Sequence, residues 1–481
     1  MNWRFAAVML IAAAHFLNLL PTLLNFDRFA FGDNGWPLTV DVLIAEEHRT
    51  PTADFAYYYG LLVLLVDRIA FALFGRTPET IVGLYAVCAL AVAIGAARLM
   101  AALNLRLLPS VFLITCTSLI VIPRGFPSPA HALEAAFLMT ALAAHARGRL
   151  DRALVFCVLA VLAKPALGYV YGLILVGLVL AGWPAGESRW RRFLPAAAVA
   201  AVLLIIVGIR FGIEPVARTL FPAAGLKVYG DEGVGFLFGA GRLFWLPEDP
   251  TLWYYTGVPG VWLASSLVLF AAALRMAPRW NQTEANVAVT CAVLHGVFLF
   301  ALFGNQWSWI YYSNVLFAGT AVALNGLPRR LSGTLAIVLS IAAFVAQIAW
   351  LWGTDARTWV FTQRHVDTAG LYAPPEEAAE WEKVRDLGRQ NPGRVFVLTR
   401  MGCPHLLAPE LDAPRSWCLI RAVAPQAEMD RIREQIGRAE WIVSPAWHDN
   451  DLMTWPELAE VLKPFREEGS TPFFKMYRRA K

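Results

Sequence analysis

Asp33 and Asp54 stand 21 residues apart in the polar stretch that follows the first apolar block, and Tyr57, Tyr58 and Tyr59 come soon after the second acid. Arg124, His131 and Glu134 fall within one short stretch further on, and Lys164 interrupts an otherwise apolar run. These residue types suit transfer of a group away from a phosphate: a carboxylate takes the proton of an attacking hydroxyl while cations stabilise the phosphate that leaves. Asp33 and Glu134 are the candidate catalytic carboxylates, Asp33 as the base. Lys164, Arg124 and Arg242 are candidate phosphate contacts, and Asp54, Tyr58 and His131 are candidates for shaping the substrate site.

Each of these residues has a plainer reading. Asp33 also fits a helix cap or a solvated loop acid. Asp54 fits a turn acid ahead of an aromatic run, and for this residue the plainer reading is preferred. Glu134 fits an acid favoured at a helix start by the dipole. His131 shares a helical face with Glu134, three residues on, and reads as orienting its neighbours, because no second His or Cys stands at zinc spacing. Lys164 is the sharpest: a lone cation in an apolar stretch is costly and marks function by default, and the competing reading is snorkelling of its long side chain to the interface. The glycine-rich stretch 233–241 lacks the Gly-Lys-Ser/Thr ending of a phosphate loop and reads as a hinge in a long outer loop suited to an acceptor lid. Asp449-Asn450-Asp451 reads as a turn, and the aromatic run 304–312 as an interfacial belt.

The elements that must position these groups follow from composition. The chain has 481 residues, 58% hydrophobic and 16% charged, and a mean hydropathy of +0.51. Soluble domains run nearer a quarter charged, so a soluble globular reading is excluded. Apolar blocks of roughly 17 to 25 residues match the length that crosses a hydrocarbon core of about 30 Å. The first block, residues 5–24, reads as an uncleaved anchor. The block at 58–75 carries Asp67 and Arg68 near its middle and is read as lying on the membrane surface, because each such charge at a span centre costs about 2.5–3.5 kcal/mol. The block at 153–183 is read as a hairpin with Lys164 at its tip, its first limb being residues 153–163. With those two choices, the basic clusters at 98–106, 147–152, 189–192, 275–279 and 329–330 all fall on one side, the inner one by the positive-inside rule.

The expected architecture is therefore an all-α polytopic membrane protein of about eleven spans, with an inner N-terminus and a small outer α/β domain at the C-terminus. The boundaries are a membrane domain over 1–352, whose outer loop 25–78 carries surface helices, a linker over 353–375 and an α/β domain over 376–481. Residues 36–45 have apolar side chains at helical spacing and predict a short surface helix with Asp33 near its start. In the tail, residues 394–399, 440–444 and 473–477 read as strands and 428–437 as a helix. Of six cysteines only Cys403 and Cys418 lie in polar surroundings where a disulfide is conceivable. The net charge of +5 comes with no basic tail or patch, so no nucleic-acid partner is expected.

A single span, an outer loop with an early acid, the stretch Asp54-Phe-Ala-Tyr-Tyr-Tyr-Gly60, a surface helix ending Leu73-Phe74-Gly75 and a lysine closing a short limb together resemble the GT-C membrane glycosyltransferases, of the aminoarabinose transferase and protein mannosyltransferase type. Leu61 stands where that family's stretch usually has proline. The resemblance covers about the first 185 residues and the plan of spans followed by an outer α/β tail. It implies an inverting enzyme of the cell inner (plasma) membrane that takes a sugar from a polyprenyl-phosphate carrier and gives it to a glycan, lipid or protein acceptor on the outer, periplasmic face. It also implies that Asp33 is the first-loop base, that Glu134 matches an acid of the second loop that serves acceptor or metal, and that Lys164 meets the carrier phosphate. A monophosphate-linked donor leaves with a charge that protein cations can neutralise, so no metal or other cofactor is required, although a diphosphate-linked donor favours a divalent ion. The alternatives are a transporter or flippase, a non-enzymatic assembly subunit, and a polymerase or ligase of lipid-linked glycans.

Overall fold

The computed structural model describes residues 24–122, 128–182, 190–221, 253–302, 313–353, 364–366, 371–419, 424–446 and 451–480, with Ala6 and Ala13. Most of the first apolar block, Arg124, Arg242, the 233–241 stretch, the 304–312 run and Asp449-Asn450 lie outside the described residues.

Two short helices, α1 (Phe26–Ala30) and α2 (Trp36–Ala45), and a longer one, α3 (Leu61–Phe74), precede the bundle. The bundle itself consists, among the described residues, of α4 (Pro78–Ala102), α5 (Leu107–Cys116, extended by a π turn over Thr117–Val121), α6 (Pro129–His145), α7 (Leu150–Ala163), α8 (Leu167–Leu180) and α9 (Leu194–Phe211), then, after the short α10 (Ile213–Leu220), α11 (Trp253–Met276), α12 (Thr283–Leu302), α13 (Ser313–Asn325) and α14 (Arg329–Gly353). Among the described residues four helical segments, Pro78–Ala102, Trp190–Phe211, Gly260–Arg279 and Arg329–Ala346, are long and apolar enough to cross a membrane.

Packing in the bundle is set by small residues. Alanines line α6 on nearly every side, and Gly95 of α4 lies so close to Met139 of α6 that a methyl group there would meet its Cγ at 2.6 Å. Such positions let helices approach closely where apolar burial gives little drive between them. His145 then ties three helices together, reaching Tyr171 of α8 at 3.0 Å and Asn286 of α12 at 2.7 Å. Tight turns reverse the chain, so the two ends of the bundle differ in character. One end carries the 103–106, 146–149, 277–282 and 326–328 turns. There Arg106 donates to the carbonyls of Leu324 (3.0 Å) and Leu327 (2.9 Å), closing the exposed end of α13. The other end carries the 164–166 turn, the first loop and the C-terminal domain.

The surface helix expected over the 58–75 block is α3, about 21 Å long at 1.5 Å per residue. Its two charges separate. Arg68 pairs with Asp41 of α2 at 3.0 Å, and Arg76 donates twice to the same carboxylate, at 2.9 and 2.7 Å. Asp67 turns inward and neither of its oxygens finds a hydrogen bond among the described residues; burial first, then the neighbouring Asp41, push its carboxyl well above the usual carboxylate range. A neutral Asp67 removes the cost of burying a charge there. One difference from the sequence reading concerns α7, which begins at Leu150 and not at residue 153. The apolar block ends at the charged Asp151-Arg152, but backbone hydrogen bonding does not, and Ala153 N already donates to Arg149 O at 3.1 Å. At 14 residues the limb is about 21 Å long.

The C-terminal region folds as a four-stranded sheet of β3 (Val395–Val397), β4 (Trp441–Pro445), β5 (Phe465–Ser470) and β6 (Phe474–Arg479) in the order β3-β4-β6-β5, with β3 and β4 parallel and the other pairs antiparallel. Its helices are α15 (Pro375–Gln390) and α16 (Gln426–Arg438). Phe396, Ile432, Ile436, Ile442 and Trp455 form its apolar centre. The stretch expected as a linker contains a small antiparallel ladder of β1 (Arg364–Val366) and β2 (Leu371–Ala373), and Tyr372 N donates to Leu24 O at 2.9 Å, so it is anchored beside α1. Cys403 and Cys418 are both buried and are not joined to each other by a disulfide; the Cys403 thiol donates to Phe29 O at 3.2 Å.

Candidate functional site

Lys164 closes α7 at the point where the chain turns into α8, and its ammonium lies buried 2.5 Å from His131 Nε2. An ammonium has only hydrogens to give, so Nε2 accepts, His131 is neutral, and the remaining ring proton on Nδ1 is donated to Ser128 Oγ at 2.8 Å. Glu134, one turn along the same face of α6, accepts from Leu167 N at 3.2 Å and is near enough to Lys164 for their charges to attract. It thus satisfies one of the open N–H groups that begin α8 and balances the cation beside it. The i, i+3 spacing read in the sequence brings both side chains to the same turn.

The tyrosine stretch of the first loop is laid directly on this turn. Gly60 N donates to Ala163 O at 3.0 Å, and a methyl group at Gly60 would fall 1.9 Å from Leu162 O. Only glycine permits this approach. It delivers Tyr59, whose ring sits 5.5 Å from that of His131 and 5.9 Å from Lys164 Nζ, in range of a cation–π contact. Tyr58 packs on Trp417 of the C-terminal domain at 4.3 Å between ring centres, and Trp417 in turn touches Tyr57, Tyr59 and Trp36 at 5.2, 5.1 and 5.9 Å. The result is an aromatic wall between the buried lysine and the C-terminal domain. Sequence reasoning missed Trp417, which stands far from the first loop in sequence and carries no local motif.

Asp33 is exposed in the turn before α2, three residues from Trp36. The adjacent Asn34 accepts from the Tyr85 hydroxyl at 3.1 Å, which ties this turn to α4. Asp54 closes a turn by accepting from Thr50 N at 2.7 Å, while its backbone carbonyl accepts from Arg431. Its carboxylate therefore does the work of the plainer reading. The C-terminal domain grips the same loop from above: Glu428 accepts from Ala56 N at 3.2 Å, Thr39 donates to Gly402 O at 2.7 Å, and Arg415 pairs with Glu47 at 2.8 Å. Gly402 adopts φ +99° and lies where a side chain would strike Ala30 O at 2.2 Å. Burial pushes the Glu428 carboxyl up to about 7 despite nearby Arg431 and Arg49. Among the described residues no three His, Cys, Asp or Glu side chains gather as a metal-ligand set.

No protein-family model matches the sequence, and no curated protein matches it. Its fold nevertheless has solved counterparts. ArnT from Cupriavidus metallidurans, solved bound to undecaprenyl phosphate, is similar with a TM-score of 0.56 at 12% identity over 98% of this chain and 98% of that one. AglB from Archaeoglobus fulgidus, an archaeal oligosaccharyltransferase in complex with an inhibitory peptide and a dolichol-phosphate, is similar with a TM-score of 0.52 at 12% identity, over 100% of this chain and 74% of that one. The chain thus has the architecture of a multi-pass membrane protein with a small C-terminal α/β domain.

Proposed function

We propose that this protein is a membrane glycosyltransferase that moves a sugar from a polyprenyl-phosphate-linked donor to an acceptor on the outer face of the membrane. The observation that carries the reading is the Lys164 site: a buried ammonium positioned by His131 and Glu134 at a bundle end, beneath an aromatic wall, in a fold shared over nearly its whole length with ArnT. A desolvated cation at that depth interacts strongly with an anionic group brought to it in the membrane boundary.

In this scheme Lys164 contacts the phosphate of the donor, with Arg124 and Arg242 as further cations. Asp33 takes the proton from the acceptor nucleophile, whose lone pair forms the new bond to the anomeric carbon while the bond from that carbon to the phosphate oxygen breaks. The electron pair leaves on polyprenyl phosphate, and attack from the opposite side inverts the sugar. Glu134 keeps the Lys164 turn in place and shapes the acceptor side, and Asp54 and Tyr58 of the first loop, with His131 of α6, form the surface against which donor and acceptor lie.

The test is release of free polyprenyl phosphate from a panel of lipid-linked sugars by the purified protein in lipid, with acceptors supplied from an extract of the native membrane. Release by the wild type and its loss in folded Asp33→Asn and Lys164→Ala proteins is the expected result. Binding of the lipid with no release under any pairing would replace this reading with transport or assembly. Release of an assembled glycan in place of a single sugar would identify a polymerase or ligase.

A further inference from the structure

At the bundle end opposite Lys164, about 20 Å away along α6 at 1.5 Å per residue, the turn between α6 and α7 meets the last turns of α4. Arg98, Arg147, Arg149 and Arg152 line a cavity of about 280 Å³ there, together with Thr140 and Phe156. All four arginines are exposed, and none makes a side-chain hydrogen bond or ion pair among the described residues. At the opposite end several arginines are engaged: Arg68 and Arg76 pair with Asp41, and Arg415 pairs with Glu47. A cavity of this size holds far more than one water, whose share of liquid volume is about 30 Å³.

Placement of basic residues for orientation in the membrane explains why they sit on this face, but such residues need only be solvated. It does not explain why four guanidinium groups, from α4, α7 and the turn between α6 and α7, converge on one concave site. Their planar forks match the oxygens of a phosphate ester, which they contact in pairs. The site also has direction. Phe156 lies one turn deeper along α7 than Arg152, so a phosphate held among the guanidinium groups places what is attached to it along an apolar wall that leads into the bundle's lipid-facing side.

We infer that this cavity binds the phosphodiester headgroup of an anionic phospholipid from the leaflet on that face, with the four arginines holding the phosphate and the acyl chains following α7 past Phe156. The site is separate from the Lys164 site and does not rest on the reaction proposed for it.

The experiment is lipid retention by the full-length protein, measured by native mass spectrometry during delipidation in mixtures of dioleoyl phosphatidylglycerol and dioleoyl phosphatidylcholine. The wild type is expected to keep one phosphatidylglycerol with at least about tenfold preference over phosphatidylcholine. Joint Arg98→Gln, Arg147→Gln, Arg149→Gln and Arg152→Gln substitution is expected to remove that preference, while the same number of changes on the same face outside the cavity, at Arg275, Arg279, Arg329 and Arg330, leaves it within about twofold. A conservative set with lysine at the four cavity positions keeps charge and orientation, guards against loss of folding, and is expected to weaken retention at least about threefold because the fork is lost. Equal loss in the cavity and control sets, or equal retention by the lysine set and the wild type, would overturn the proposal. Glycerol phosphate competing as well as the intact lipid would show a site for soluble phosphate esters and would overturn it too.

Discussion

The two ends of the bundle handle most of their cations differently, Arg106 at the far end being an exception tied to the carbonyls of Leu324 and Leu327. At the end that carries Lys164, arginines are joined to acids and carbonyls: Arg68 and Arg76 to Asp41, Arg415 to Glu47, Arg218 to Thr52 O at 3.1 Å, and Arg431 to the carbonyl of Asp54. These contacts hold α2, α3 and the C-terminal domain to the loop between them. At the other end Arg98, Arg147, Arg149 and Arg152 line a cavity with no side-chain partner among the described residues. Density of positive charge therefore does not find the proposed catalytic site, because most of the basic groups around it build structure. Burial finds it. Lys164 is buried and is faced by the neutral imidazole of His131 and the carboxylate of Glu134, in surroundings where a single cation counts most.

This contrast can be broken or sharpened by substitution. The largest expected effect is on rate: Asp33→Asn should slow sugar transfer by about a hundredfold to ten-thousandfold, as loss of a general base does, while lipid binding stays intact. Unchanged turnover would remove Asp33 from the chemistry and leave it as an exposed loop acid. Next, Trp417→Ala should lower stability by about 3–5 kcal/mol, since it empties the centre of an aromatic cluster with contacts to Trp36, Tyr57, Tyr58 and Tyr59. Thermal unfolding in lipid reads this, and a shift no larger than that of a surface alanine would mean that the outer domain does not depend on the wall. Gly60→Ala should cost about 1–3 kcal/mol by forcing a methyl group against Leu162 O. A cysteine-accessibility measurement at position 164 in that background should show the turn opened to water.

The smallest expected effect concerns pH. Burial holds the Glu428 carboxyl at about 7 against an ordinary 4.5, so the folded protein carries more protons than the unfolded chain between those values. This group's contribution to stability is fully present below about 4.5 and is lost as pH rises through about 7. Glu428→Gln imitates the protonated acid and should flatten the decline of Tm across that window. An unchanged slope would assign the pH dependence to other groups.

Much of this architecture was legible in the sequence because it follows from local pattern. The helix over 36–45 announced itself by apolar spacing, and α3 by a pair of charges too costly for a span. His131 and Glu134 could be placed on one face from their three-residue separation, and Lys164 stood out as a cation among apolar residues. What could not be read was assembled over long distances. Trp417 joins Tyr58 and Trp36 only when the outer domain docks, and Glu428 becomes a buried acid only against Ala56 of the first loop. Arg98 likewise looked like one more inner-face charge until folding set it beside Arg147, Arg149 and Arg152. The early start of α7 escaped for a different reason: hydropathy marks where a helix enters an apolar medium, whereas hydrogen bonding marks where it begins.

The central claim is that Lys164 meets a lipid-borne phosphate, and direct titration tests it. Purified wild type and Lys164→Ala protein, both verified as folded, would be titrated with a polyprenyl phosphate in nanodiscs of phosphatidylcholine. The account predicts a Kd weakened at least about tenfold in the variant, near the 1.4 kcal/mol that one well-placed charge contact readily supplies. Equal affinity of the two proteins would contradict it.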